Sequence, residues 1–269
     1  MCPPKLLSLL KNMPFPEQAV ERAGGGVVDD RPRSASRSLN FSHIVDLTHT
    51  LSPTSPVFPS LPTFKVETPF ATHEANHVSI NRYTVSDHCG THLDAPYHVS
   101  PTGLYTDQIP LQSLVASIAV INIGEKVKKE HASQVTPDDI LAWERVHGRL
   151  PKDAAVFMAS GWASRIGSSA DYVNIDASGV AQFPGFSVEA AQMLVHEREV
   201  VGIGVDTLSL DFGPSPNFAT HMAFLPTNRW GIECLANLEA IPASGAMLVI
   251  GVPKIQGSSG GPARAMAMW

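Results

Sequence analysis

Cysteine is scarce in this chain, with three thiols, Cys2, Cys89 and Cys234, scattered over 269 residues. So few and so far apart, they exclude a disulfide framework and a cysteine-rich zinc site, and they point to a reducing, cytoplasmic setting. Positive charge is also short: 19 Lys and Arg face 25 Asp and Glu, a net charge of -6 with 11 histidines neutral. A mildly acidic surface does not suit a polyanion, so no nucleic-acid partner is expected. Nor does any apolar run approach the roughly eighteen residues of a spanning helix, so no membrane association is expected. Neither a dinucleotide-binding fingerprint nor a phosphate loop occurs. GSSGG at 257–261 lacks the lysine and following helix that a phosphate loop needs, and it reads as a hairpin or C-terminal turn.

What is abundant is apolar surface and chain-bending residues. With 43% apolar and only 16% charged residues, the chain can bury one substantial core or two small ones. The 20 glycines and 22 prolines follow no three-residue period, so they signal turns and rigid loops rather than a collagen-like repeat. Residues 1–40 differ from the remainder. Their apolar patch, Leu6, Leu7, Leu9 and Leu10, is cut short by Lys11 and Pro14, too soon for a signal peptide, and Gly24, Gly25 and Gly26 open a linker-like stretch. This segment reads as an extension or docking arm, or equally as a start carrying no function, ahead of one domain over 41–269.

Strand-sized β-branched runs recur from there: 44–48, 117–123, 154–159, 200–205 and 246–252, each bounded by Pro, Gly or Asp. One helix is signalled by Thr136 as cap, Pro137 at the first position and Asp139 as the reciprocal acid, with Ile140, Trp143 and Val146 on one face until Gly148. A second starts at Ser187, with Val188, Ala191, Leu194 and Val195 as its apolar stripe. Alternating strands and helices predict layered α/β packing, while the proline-rich region from Leu51 to Tyr105 predicts loops.

One stretch dominates the chemistry: His88-Cys89-Gly90-Thr91-His92-Leu93-Asp94-Ala95-Pro96-Tyr97-His98. His88, His92, Asp94 and His98 are separated by even numbers of residues, so extended backbone would direct them to one side. Gly90 and Pro96 oppose a helix through the whole stretch. Two imidazoles and a carboxylate make a compact N,N,O set suited to Zn²⁺, Mn²⁺ or Fe²⁺ with positions left for water and substrate. Cys89 has the opposite parity and reads as a small buried thiol.

This motif resembles the HxGTHxDxPxH signature of the metal-dependent cyclase-like hydrolases, whose members include bacterial kynurenine formamidases and isatin hydrolases. The resemblance runs from Asp46-Leu47-Thr48-His49-Thr50-Leu51 through GVDTLSLD at 204–211, His221 and WGIECLANLEAIP at 230–242 to GGPAR at 260–264. It implies a single-domain swivelling β/β/α fold, with His88, His92 and Asp94 as metal ligands and His98 as the proton-transferring residue. In the formamidase branch a later histidine and a glutamate twelve residues beyond it help hold a second metal, and His221 and Glu233 match that interval, as a second metal site or a proton relay. The isatin-hydrolase branch shares the core motif and the later histidine but lacks this glutamate, whereas the length and Gly-Pro-Ala-Arg ending of the chain resemble that branch.

Read without the resemblance, His221 could be a packed histidine and Glu233 the first-turn acid of a short helix. Asp206 follows an apolar run and reads as a cap or turn acid, and Phe58 and Trp162 are candidates for a pocket wall. The resulting expectation is hydrolysis of a small aryl amide by metal-activated water, with one or two Zn or Mn ions per chain and a homo-oligomer, dimer or tetramer. A lactone or ester hydrolase and a non-catalytic metal-binding protein are the alternatives.

Overall fold

A computed structural model of the chain describes residues 40–59 and 61–269. The arm expected over 1–40 lies outside the described residues apart from Asn40. Thirteen short strands are described: β1 (Ile44–Asp46), β2 (Lys65–Val66), β3 (Tyr83–Thr84), β4 (His92–Asp94), β5 (Val115–Asn122), β6 (Gln134–Val135), β7 (Ala155–Ala159), β8 (Gly185–Phe186), β9 (Gly202–Val205), β10 (Trp230–Glu233), β11 (Ala246–Gly251), β12 (Gly260–Pro262) and β13 (Arg264–Met268). Nine of them form one sheet in the order β1-β13-β11-β5-β7-β9-β10-β4-β12. Its centre, β5-β7-β9-β10, is parallel and its flanks are antiparallel.

The parallel centre explains the uninterrupted apolar runs in the sequence. A strand covered on both faces has no solvent side on which to place polar residues. In β7, Val156 and Met158 enter one core while Ala155, Phe157 and Ala159 enter another, and all five are buried. The first core is roofed by helix α1 (Pro137–His147) through Ile140 and Trp143, and by helix α2 (Val188–His196) through Ala191 and Leu194. Around the second core the sheet curls, and Thr48 just beyond the edge strand β1 bridges Leu235 just beyond β10.

The capping signals hold. The Thr136 amide and hydroxyl both donate to Asp139 Oδ2 at 2.8 Å, and Ser187 Oγ accepts from the Ala190 amide. Val146, however, is 76% exposed. The helix ends one residue later, at His147, with Ile140 and Trp143 as its buried residues. The strand expected at 44–48 stops at Asp46, and that expected at 200–205 begins at Gly202. GSSGG starts in the expected turn near the C-terminus, at Gly257, but not in a hairpin: β11 pairs with β5 and β13, whereas β12 pairs with β4, so the chain crosses between different strands here. No helix among the described residues is long and apolar enough to cross a membrane.

Candidate metal centre

Strand β4 places His92 and Asp94 on one face, as alternation along extended backbone requires. Its register with β10 sets Glu233 directly opposite His92, and Gly231 opposite Asp94. Across-strand partners share a face, so a carboxylate distant in sequence joins the motif. Helix α3 (Ala219–Phe224) brings His221 over the same face. Glu233 therefore ends a strand and does not open a helix. His98 also reaches the site, but from a 3-10 turn at Pro96–His98, and His88 comes from a bend, so only His92 and Asp94 arrive by simple alternation.

These side chains form two donor sets that share one carboxylate: His88, His92 and Asp94, and Asp94, His221 and Glu233. His88 Nδ1 is 2.7 Å and His92 Nε2 3.2 Å from Asp94 Oδ1. His221 Nε2 is 3.1 Å from Glu233 Oε1 and 3.5 Å from Asp94 Oδ2, and His92 Nε2 is 3.5 Å from Glu233 Oε2. Asp94 Oδ2 is buried without a hydrogen-bond partner. An orphaned carboxylate oxygen facing imidazole nitrogens and a second carboxylate in a desolvated site fits a divalent cation.

The outer nitrogens of two of these rings are already engaged. His92 Nδ1 meets the Gly90 carbonyl at 2.9 Å, and His221 Nδ1 meets Asp211 Oδ2 at 2.6 Å. In each case Nδ1–H is the donor to that oxygen, which leaves Nε2 as the nitrogen that gives its lone pair to a cation once the cation displaces its proton, the arrangement that orients a metal ligand. Asp211 also accepts from the Thr220 and His221 amides, so the carboxylate that satisfies the first turn of α3 also aims its histidine. Glu233 Oε1 is fixed by the Leu210 amide at 3.0 Å. Asp211 ends the GVDTLSLD segment eight residues ahead of α3, and no local pattern marks it as the partner of His221.

The charges are strongly coupled. Burial would lower His92, but Asp94 and Glu233 raise it to about 9. Burial opposes ionisation of Asp94 as well, yet the histidines around it hold it well below the usual carboxylate range. Glu233 is pushed up, first by burial and then by Asp94. His98 moves the other way, to about 4, through burial and then the neighbouring imidazoles, although Asp94 pulls it up. It is therefore neutral at pH 7.

The site floors a cavity of about 390 Å³ whose apolar lining includes Pro56, Phe58, Leu61, Val99, Leu208 and Phe218. Phe58 and Phe218 face each other with ring centroids 5.8 Å apart. Phe218 is exposed and adopts a left-handed backbone conformation at φ 51°, which costs about 1–3 kcal/mol that its surroundings must offset. Phe58 thus lines the pocket as expected, but Trp162 does not. It is fully buried in the first core, its Nε1 donating to the Tyr172 carbonyl, because the turn it opens directly after the central strand β7 turns the ring into that core. Asp206 is the turn acid that was expected: it accepts from the Ser160 and Trp162 amides and the Ser160 hydroxyl, and burial raises it to about 6. Cys89 is buried, with a raised pKa from burial, which removes it as a nucleophile.

Known proteins resemble this chain over most of its length. The family described as putative cyclase matches residues 45–212. An isatin hydrolase of Roseibium aggregatum is 31% identical over 242 residues, covering 84% of this chain and 91% of that protein. A kynurenine formamidase of Salinibacter ruber is 27% identical over 232 residues, covering 83% of this chain and 96% of that protein. The solved structure of isatin hydrolase A from Ralstonia solanacearum superposes with a TM-score of 0.78 at 35% identity, covering 84% of this chain and 91% of that one.

Proposed function

The chain belongs to the putative cyclase family, and from that premise we propose that it is a metal-dependent amidohydrolase cleaving the C–N bond of a small aryl amide. The observation that carries this reading is the pair of donor sets sharing Asp94 at the floor of an aromatic-walled pocket. The reading includes two cations per chain, zinc or manganese, one in each set. A divalent cation so held would make water more acidic and polarise a carbonyl oxygen.

The chain's own residues supply the rest. Phe58 and Phe218 offer faces to an aryl ring and exclude water from it. His98 borders the same cavity, its ring 4.0 Å from that of His88 and 5.8 Å from that of His221, centroid to centroid. Being neutral, it can accept the proton of the attacking water and then deliver it to the departing nitrogen as the C–N bond breaks. An amide nitrogen needs that second transfer more than an alkoxide does. N-Formylkynurenine and isatin both present a carbonyl on an aryl nitrogen and are the substrates this reading favours.

The working form under this reading is a cytoplasmic homo-oligomer, dimer or tetramer. The free, buried thiols Cys89 and Cys234 support the compartment, and light scattering tests the assembly. The deciding experiment assays a metal-analysed preparation against N-formylkynurenine, isatin and simple aryl lactones. Turnover of an amide is expected, and His98→Ala is expected to keep its metal while losing roughly 10²–10⁴-fold in rate. Turnover of lactones alone would make the chain an esterase, and metal binding without turnover of any substrate would make it non-catalytic.

A further inference from the structure

The GSSGG segment, which carries no phosphate-loop chemistry, lies against the metal centre. Ser259 Oγ stands 3.0 Å from His88 Nε2 and donates to Asp87 Oδ2 at 2.7 Å. A hydroxyl has one proton to give, and this one is committed to the carboxylate. The oxygen therefore meets His88 as an acceptor, Nε2 carries the imidazole proton, and Nδ1 is left with its lone pair. Nδ1 is the atom that faces Asp94 in the first donor set.

The backbone makes room for this contact. β12 pairs with β4 so that Gly260 is opposite Asp94. A Cβ at Gly260 would lie 2.7 Å from His88 Cε1 and 2.8 Å from the Leu93 carbonyl oxygen, so the ring occupies the space that a side chain would take. His88 is thus the third histidine of the centre with its outer nitrogen engaged. Where His92 uses a peptide carbonyl and His221 a carboxylate, His88 uses a hydroxyl whose direction is set by a carboxylate.

We propose that Ser259 and Asp87 are positioning residues that hold His88 in its metal-binding tautomer and thereby set the affinity of the first cation position. The inference rests on the metal-centre reading above. Asp87 acts at one remove, because its charge orients the hydroxyl and the hydroxyl orients the ring. If the carboxylate were absent, the Ser259 proton could turn toward Nε2, and the imidazole proton would move to the nitrogen that must bind the cation.

The test is equilibrium affinity for Zn²⁺ and Mn²⁺, measured by competition with a chelating indicator on metal-stripped full-length protein. Ser259→Ala is expected to weaken one bound equivalent by about 10–100-fold and leave the other unchanged. Asp87→Asn is expected to follow in the same direction with a smaller loss, since an amide oxygen can still accept. Ser259→Thr, which keeps the hydroxyl, should bind like the wild type. With Co²⁺ as the probe, the visible absorption of the first position should shift in Ser259→Ala, a change that a purely structural role would not produce. Affinities and spectra unchanged in both Ser259→Ala and Asp87→Asn would overturn the inference alone. If Ser259→Ala does not fold, Asp87→Asn decides by the same criterion. Failure of the wild-type chain to bind either cation would overturn the metal-centre reading and this inference with it.

Discussion

His88 and His92 reach Asp94 from within one short stretch of chain, whereas His221 and Glu233 reach it from a helix and a strand that meet only in the folded sheet. The two halves are also oriented differently. In the first, the outer nitrogens of the histidines rest on a hydroxyl and a peptide carbonyl, both uncharged. In the second, His221 rests on the buried carboxylate of Asp211, and Glu233 on the Leu210 amide. Asp94, Asp211 and Glu233 are all buried, so the second half concentrates negative charge where water cannot solvate it. Burying charge without compensation costs several kcal/mol per ion. The first half is therefore oriented through uncharged contacts, one of them from the distant Ser259, and the second depends more on what it binds.

The largest effect expected from this comparison comes from the shared residue. Asp94→Ala should remove both cations and reduce turnover on the order of 10³-fold or more, since the electrostatic stabilisation of the developing charge goes with them. Metal analysis of the purified variant checks it, and one retained equivalent would show that the halves do not share their carboxylate. A narrower break is Asp211→Asn, which removes the charge behind His221 and leaves His88 and His92 untouched. It should weaken the second cation by about 10–100-fold and spare the first, read by titration calorimetry on stripped protein. Equal weakening of both would mean that the halves are one coupled unit.

The smallest effect concerns the stripped protein. His92 is raised to about 9 against burial, because Asp94 and Glu233 favour its charged form, and His221 moves in the same direction. A histidine with a raised folded pKa contributes stability that is complete below its unfolded value near 6.5 and is lost as pH rises through its folded value. Metal-free protein should thus lose a few degrees of Tm between pH 6.5 and 9. Metal-loaded protein should lose less, because the cation replaces the proton. Differential scanning calorimetry at both pH values checks the sign, and a Tm of stripped protein that rises over this window would refute it.

Much of the centre could be read directly from residues. Alternation placed His92 and Asp94 on one face, and the two best-signalled helices begin at the caps their side chains provide, Thr136 and Ser187. His98 was identifiable as a site residue, but its route was not, because a 3-10 turn following Pro96 replaces the extended chain that parity assumed. Trp162 illustrates the opposite failure. An aromatic beside glycine in a loop can line a pocket or fill a core, and here the Tyr172 carbonyl and the underside of the sheet claimed it. Asp211 and Ser259 gave no sign of their partners because the contacts span 10 and 171 residues of chain.

By itself the sequence determined the chemistry available. Two histidines and an aspartate at close, even spacing, laced with glycine and proline, can do little else as well as hold a cation, and local spacing is enough to say so. The apolar runs likewise determined that there would be buried strands. Only the tertiary structure decided that Glu233 would lie opposite His92, that Ser259 would meet His88, and that Asp94 would serve two donor sets. Those outcomes depend on the pairing register of β4 with β10 and β12. A shift of one residue in either pairing would turn the same side chains to the other face of the sheet.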